Sequence, residues 1–62
     1  SMLWRVERFL RNTEMSATTF GRLAVGDPRL VFDMRNGRMP RIAMERRLEH
    51  FMNTYCEGQN VR

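Results

Sequence analysis

The sequence predicts an all-α fold, a compact domain of four short helices. Apolar residues recur three or four positions apart in each segment, no stretch alternates as a half-buried strand does, and helix-starting and helix-stopping residues separate the segments. The predicted helices cover about residues 3–11, 16–25, 28–36 and 41–55. We expect one domain over residues 2–56 and a polar C-terminal tail over residues 57–62.

The first two predicted helices each have an apolar face. That of the first helix is formed by Leu3, Val6, Phe9 and Leu10. Ser16 is suited to cap the second helix, because its hydroxyl can accept a free N–H of the first turn. The expected core residues of this helix are Phe20, Leu23 and Ala24. Gly21 lies in mid-helix, where it costs about 1 kcal/mol relative to alanine, so we expect it to allow another helix to approach closely.

The third predicted helix is short and has clear ends. Asp27 is expected as its N-cap and Pro28 as its first residue, where the missing N–H is harmless. Asn36-Gly37 offers a left-handed stop. The apolar faces of the third and fourth helices are formed by Leu30, Val31 and Met34, and by Met44, Leu48, Phe51, Met52 and Tyr55. The link before the third helix is so short that we expect a sharp crossing between helices two and three.

Composition excludes several classes of function. One Cys and one His among 62 residues make neither an intramolecular disulfide nor a four-ligand zinc site. A chain this short has no room for an enclosed cavity and a catalytic apparatus, so we expect no enzyme, cofactor or small-molecule substrate. No apolar run has the length of a membrane span and no signal peptide is evident, which predicts a cytoplasmic protein. Ser1 is interpreted as the remnant of a cleavage site before the native Met2.

The net charge of +4 is concentrated in the middle of the chain. Seven arginines and three acidic residues lie between Arg22 and Arg47, so this segment carries the whole excess. A basic region on a small domain attracts phosphate. Because the charge overlaps the short capped helix, it favours a nucleic-acid-binding surface over an ordinary solvated one.

Two helices joined by a tight turn, the second short and basic, form a helix-turn-helix pattern. Leu3–Tyr55 resembles a lambda-repressor-like (Cro/CI type) DNA-binding domain: a helix, a helix-turn-helix, a Gly-x-x-Pro connection and a helix. The residues that carry this resemblance are Phe20, Gly21, Val31, Met34 and the run 36–40. The segment TTFGRLAVGDPRLVFDMRNGRMPR is also similar to a group of small bacterial proteins.

The resemblance implies a set of DNA contacts. Bases would be contacted by Arg29, Phe32 and Asp33, and phosphates by Thr18, Thr19, Arg22, Arg35, Arg38 and Arg41. The residues themselves leave alternatives open. Arg29 can instead pair with Asp33 four positions later. The preferred interpretation of Phe32 is packing against the fourth helix.

Three hypotheses about function follow. The first is a prokaryotic transcriptional regulator that binds double-stranded DNA as a homodimer on a two-fold site, with Phe51, Met52 and Tyr55 near the dimer contact. The second is a protein-interaction module on the same scaffold. It is supported by Pro28 and Phe32, which stand where a DNA-binding protein is expected to have polar contact residues. The third is an accessory or antitoxin-like protein.

Overall fold

The computed structural model describes the backbone of residues 1–60 and the side chains of residues 1–55. Four α-helices follow one another: α1 (Met2–Thr13), α2 (Ala17–Val25), α3 (Leu30–Arg35) and α4 (Ile42–Asn60). The described residues include no strand. The prediction of an all-α chain with four helices is therefore confirmed.

α1 is longer than predicted at both ends. Ser1 acts as its N-cap, since its hydroxyl accepts a backbone N–H of the first turn at 3.4 Å. The helix continues to Thr13, two residues beyond the predicted end at residue 11. It ends because Glu14 adopts a left-handed conformation with φ 58°. The N–H groups of Glu14 and Met15 then both donate to the carbonyl oxygen of Leu10.

α2 is capped as the sequence predicts. The Ser16 hydroxyl accepts the backbone N–H of Thr19 at 3.1 Å, and the helix ends at Gly26 with φ 75°. Gly21 does allow a close approach, but its nearest neighbour is a turn of the backbone and not, as expected, another helix. A Cβ on Gly21 would overlap the carbonyl oxygen of Asp27, in the turn that follows the helix.

α3 begins at Leu30, two residues later than expected. The Asp27 side chain does accept a backbone N–H, that of Arg29, at 3.0 Å. However, Leu30 donates its N–H to the Asp27 carbonyl at 3.2 Å, which makes Pro28 and Arg29 the middle of a turn. The expectation that Pro28 is the first helical residue is therefore wrong.

The end of α3 is a Schellman motif. Gly37 has φ 105°, in the region that favours glycine. Its N–H donates to Met34 at 3.0 Å, and the N–H of Arg38 donates to Asp33 at 3.0 Å. The predicted stop at Asn36-Gly37 is confirmed.

α4 extends further than predicted. Residues 57–60, expected as a polar tail, belong to its backbone, while residues 61–62 lie outside the described part of the chain. Glu57 and Gln59 have good helix propensity, so polarity alone does not end the helix. None of the described helices is both long and apolar enough to cross a membrane.

The core lies where all four helices meet. Its buried members are Val6, Phe9, Leu10, Phe20, Leu30, Val31, Met34, Leu48 and Met52. Phe9, Phe20, Phe51 and Tyr55 form an aromatic cluster with ring centroids 5.5–6.1 Å apart in five pairs. Such pairs add to the stabilisation from apolar burial. Because Phe51, Met52 and Tyr55 pack within the chain's own core, they no longer argue for a dimer.

Leu23 is the exception to the predicted core. Its side chain is 58% exposed, so its assignment to the core is wrong. The contact of Gly21 with the following turn sets the rotation of α2 about its axis. This rotation places Phe20 and Gly21 inward and half-buries Ala24, which leaves Leu23 on the outer side.

Candidate nucleic-acid interface

The outer face of α3 is defined by what the helix buries. Leu30, Val31 and Met34 are 5% exposed or less, which fixes the inward side of this six-residue helix. At helical spacing the opposite side carries Arg29, Phe32 and Asn36. All three residues are exposed. A short helix with its polar side outward is the geometry that a helix-turn-helix presents to a groove.

Arg29 stands at the start of this face. Its backbone is held by the Asp27 carboxylate, and its residue is exposed. Within the described part of the chain, no ion pair or hydrogen bond engages its guanidinium. The alternative pairing with Asp33 is not what the structure contains, because Asp33 binds another arginine.

That arginine is Arg38. Its Nη1 lies 3.0 Å from Oδ2 of Asp33, and both side chains are at least a third exposed. An exposed pair of this kind is worth about 0–1 kcal/mol. Its main effect here is electrostatic: Arg38, from the loop that follows α3, partly neutralises the one carboxylate of this helix. Asp33, expected at a base, is thereby turned to a neighbouring cation.

Arg35, expected at a phosphate, ties α3 to α1. Its Nε and Nη2 donate to the two carboxylate oxygens of Glu7 at 2.6 and 2.7 Å. This bidentate geometry is the favourable one for a guanidinium and a carboxylate. The hydrogen bonds from Arg35 lower the pKa of Glu7, against the smaller opposing effect of desolvation. In the same way Glu7 raises the pKa of Arg35. The Nε/Nη2 edge of this guanidinium is thus occupied by Glu7.

Phe32 remains on the surface. Its residue is 44% exposed, so the preferred interpretation of packing against the fourth helix is wrong. The Arg35 guanidinium lies 5.6 Å from the ring centroid, within the range of a cation–π contact. Since Arg35 is itself fixed by Glu7, the ring is supported from one side and open on the other. The outer face of α3 therefore presents the Phe32 ring, fixed in position by Arg35, as an apolar surface beside Arg29.

The expected phosphate residues of α2 lie at its two ends. Thr18 is half-buried and Thr19 exposed in the first turn, and the Thr19 hydroxyl accepts a hydrogen bond from Ser16 at 2.9 Å. Arg22 is exposed near the C-terminal end of the helix. No ion pair engages it among the described residues.

Arg41 is exposed immediately before α4, and the structure adds Arg47 to its neighbourhood. Arg38, Arg41 and Arg47 line one cavity between the end of α3 and the start of α4. Arg47 is not among the DNA contacts that the resemblance implies. The signal that could have identified it is its place beside Leu48 and three residues after Met44, at the edge of the apolar stripe.

The outer face of α3, with the exposed arginines around it, is the strongest candidate site among the described residues. They include no group of three or more His, Cys, Asp or Glu side chains that could hold a metal ion. Comparison with protein-family models, with curated proteins and with solved structures yields no match for this chain. Interpretation of the site therefore depends on its own geometry and charge.

Proposed function

We propose that this chain is a small cytoplasmic DNA-binding protein, a prokaryotic transcriptional regulator, that inserts α3 into the major groove of double-stranded DNA. The observation that carries the proposal is the α2–turn–α3 unit. Gly21 holds the turn against α2 through contact with Asp27, and α3 buries one side while presenting Arg29 and Phe32 on the other. A rigid, outward-facing second helix is what groove entry requires.

The charges around this unit support the same proposal. Two of its carboxylates are engaged locally, Asp27 by a backbone N–H and Asp33 by Arg38. Arg22, Arg29 and Arg41 form no ion pair within the described part of the chain. Cations without partners retain their attraction for phosphate, and each phosphate neutralised releases counterions.

The residues divide into two roles. Under this proposal Arg29 binds the O6 and N7 atoms of guanine through two N–H groups of its guanidinium, and Phe32 contacts the 5-methyl group of thymine. Arg22 and Arg41, with the Thr19 hydroxyl, bind phosphates and set the orientation of α3. Arg35 acts as the brace of α3 through Glu7 and not as a phosphate ligand.

The length of α3 bears on the oligomeric state. Six helical residues extend about 9 Å, which matches roughly three base-pair steps of DNA. A helix this short contacts few base pairs, so by itself it offers little discrimination between DNA sequences. We therefore propose a homodimer on a two-fold site, whose half-sites would be separated by about 34 Å or a multiple of it.

The test is selection of bound duplexes from a random pool, followed by fluorescence anisotropy of the enriched sequence at increasing salt. We expect wild-type affinity to fall steeply with salt. Arg29→Gln should weaken binding to the enriched sequence by about 1–3 kcal/mol and reduce the preference for guanine at one position. Arg8→Gln is the matched control, because Arg8 has the same charge but lies over the Trp4 ring on α1.

Two results would overturn the proposal. One is the absence of detectable, salt-dependent binding at micromolar protein and low salt. The other is an equal loss of DNA affinity in Arg8→Gln and Arg29→Gln. It would show that DNA is attracted by net charge and that α3 does not contact the bases.

The second candidate is a protein-interaction module. It is favoured by the large apolar side chains on the surface, which include Trp4, Leu23, Phe32, Met39 and Ile42. Arg29→Ala separates the two candidates: it weakens DNA binding under the first and leaves binding to a protein partner nearly unchanged under the second.

A further inference from the structure

The cavity between α3 and α4 combines an apolar floor with a basic rim. Its volume is about 410 Å³, within the range of pockets that hold small organic ligands. Leu30 and Met34, both core residues, form the floor together with the half-buried Met44. The depth of the cavity thus reaches the hydrophobic core of the domain.

The rim of this cavity carries three arginines and no acidic side chain. Arg38 reaches it from the loop, Arg41 from the residue before α4, and Arg47 from the second turn of that helix. Only Arg38 has a carboxylate partner among the described residues, namely Asp33. Arg41 and Arg47 are exposed and form no ion pair there.

We propose that this cavity binds a small amphipathic carboxylate, with its apolar body on Leu30, Met34 and Met44 and its carboxylate between Arg41 and Arg47. A guanidinium binds a carboxylate with charge-assisted hydrogen bonds. The ligand's hydrocarbon part would withdraw from water the apolar surface of half-buried Met44 and exposed Met39, which also lines the cavity. A phosphate diester alone supplies the charge but nothing to cover the floor. The inference does not depend on DNA binding.

The experiment follows the Met34 and Met44 methyl resonances by NMR while the protein is titrated with decanoate. Decanol is the uncharged match and inorganic phosphate the anion without an apolar body. We expect saturable shifts of both methyl groups with decanoate, and affinity at least tenfold lower for decanol and for phosphate. Arg47→Gln should weaken decanoate binding at least fivefold.

Arg46→Gln is the matched control, since Arg46 is also exposed and adjacent in sequence but does not line this cavity. It should alter decanoate affinity less than twofold. Equal binding of decanol would show apolar adsorption only, and equal binding of phosphate an anion site only. Either result, or an equal effect of Arg46→Gln and Arg47→Gln, overturns the proposal.

Discussion

Gly21 and Asp27 lock the turn between α2 and α3. The Asp27 N–H donates to the Gly21 carbonyl at 3.0 Å, and the Asp27 carbonyl oxygen occupies the space that a Cβ on Gly21 would need. The Leu30 Cβ lies 3.4 Å from the same point. This contact sets both the rotation of α2 and the start of α3, and through them the direction in which Arg29 and Phe32 point.

Gly21→Ala should therefore destabilise the domain. In an unobstructed helix this change is stabilising by about 1 kcal/mol, but here the backbone of the turn must move. Overpacking of this kind costs about 1–3 kcal/mol, so we expect a net loss in the free energy of unfolding by urea. Arg22→Ala, on the exposed side of the same helix, should change it by less than about 0.5 kcal/mol. A more stable Gly21→Ala variant would contradict the close contact.

Glu14→Gly should have the opposite effect and stabilise the domain. Glu14 has φ 58° at the end of α1, a conformation that costs a residue with a Cβ about 1–2 kcal/mol and glycine very little. We expect Glu14→Gly to raise the free energy of unfolding by about 1 kcal/mol. Asn12→Gly, two residues earlier within α1, should lower it. Thermal unfolding of the two variants would reveal this difference, and a loss in both would argue against the left-handed cap.

The ion pair between Glu7 and Arg35 should make part of the stability depend on pH. Because the folded state lowers the pKa of Glu7 below 4.5, the contribution is complete above that value and is lost as the pH falls through the folded pKa. A double-mutant cycle with Glu7→Gln and Arg35→Gln should give a coupling of at most about 1 kcal/mol at pH 7, since both side chains are partly exposed. We expect less coupling at pH 3. The same value at both pH values would exclude a charge-dependent pair.

Phe32 should affect DNA binding without affecting stability. Its side chain is 44% exposed, so Phe32→Ala should change the free energy of unfolding by only about 0.5 kcal/mol. If the ring contacts thymine, replacing that thymine by deoxyuridine in the selected duplex removes one methyl group and weakens wild-type binding. Anisotropy should show no such effect for Phe32→Ala. Equal sensitivity of both proteins would place the methyl contact elsewhere.

How far the sequence predicts the fold depends on the range of the interactions involved. Ser16 and Gly37 act where the sequence places them, because capping and left-handed stops depend on the residue and its nearest neighbours. The sequence predicts the start of α3 two residues before its first helical residue, Leu30. There, two local options of Asp27 compete, and the contact with Gly21 favours the turn.

The candidate site was predicted less completely, because a guanidinium can reach several partners. The position of Arg35 in the sequence does not reveal that Glu7, 28 residues away, will bind it. Nor does the short spacing between Arg29 and Asp33 reveal that Asp33 pairs with Arg38. The packing of α1 against α3 brings Glu7 to Arg35, and the turn that ends α3 brings Arg38 back to Asp33.

The sequence by itself determined four helices, most of their apolar faces and a short basic segment between Gly26 and Arg41, because periodicity and capping are local properties. The tertiary structure decided which arginines are engaged and which are not. Arg35 and Arg38 are held by carboxylates, while Arg29 and Arg41 form no ion pair within the described residues. The physical reason is that an ion pair requires two groups within about 4 Å of each other. The packing of α1 against α3 sets that distance for Arg35, and the turn after α3 sets it for Arg38.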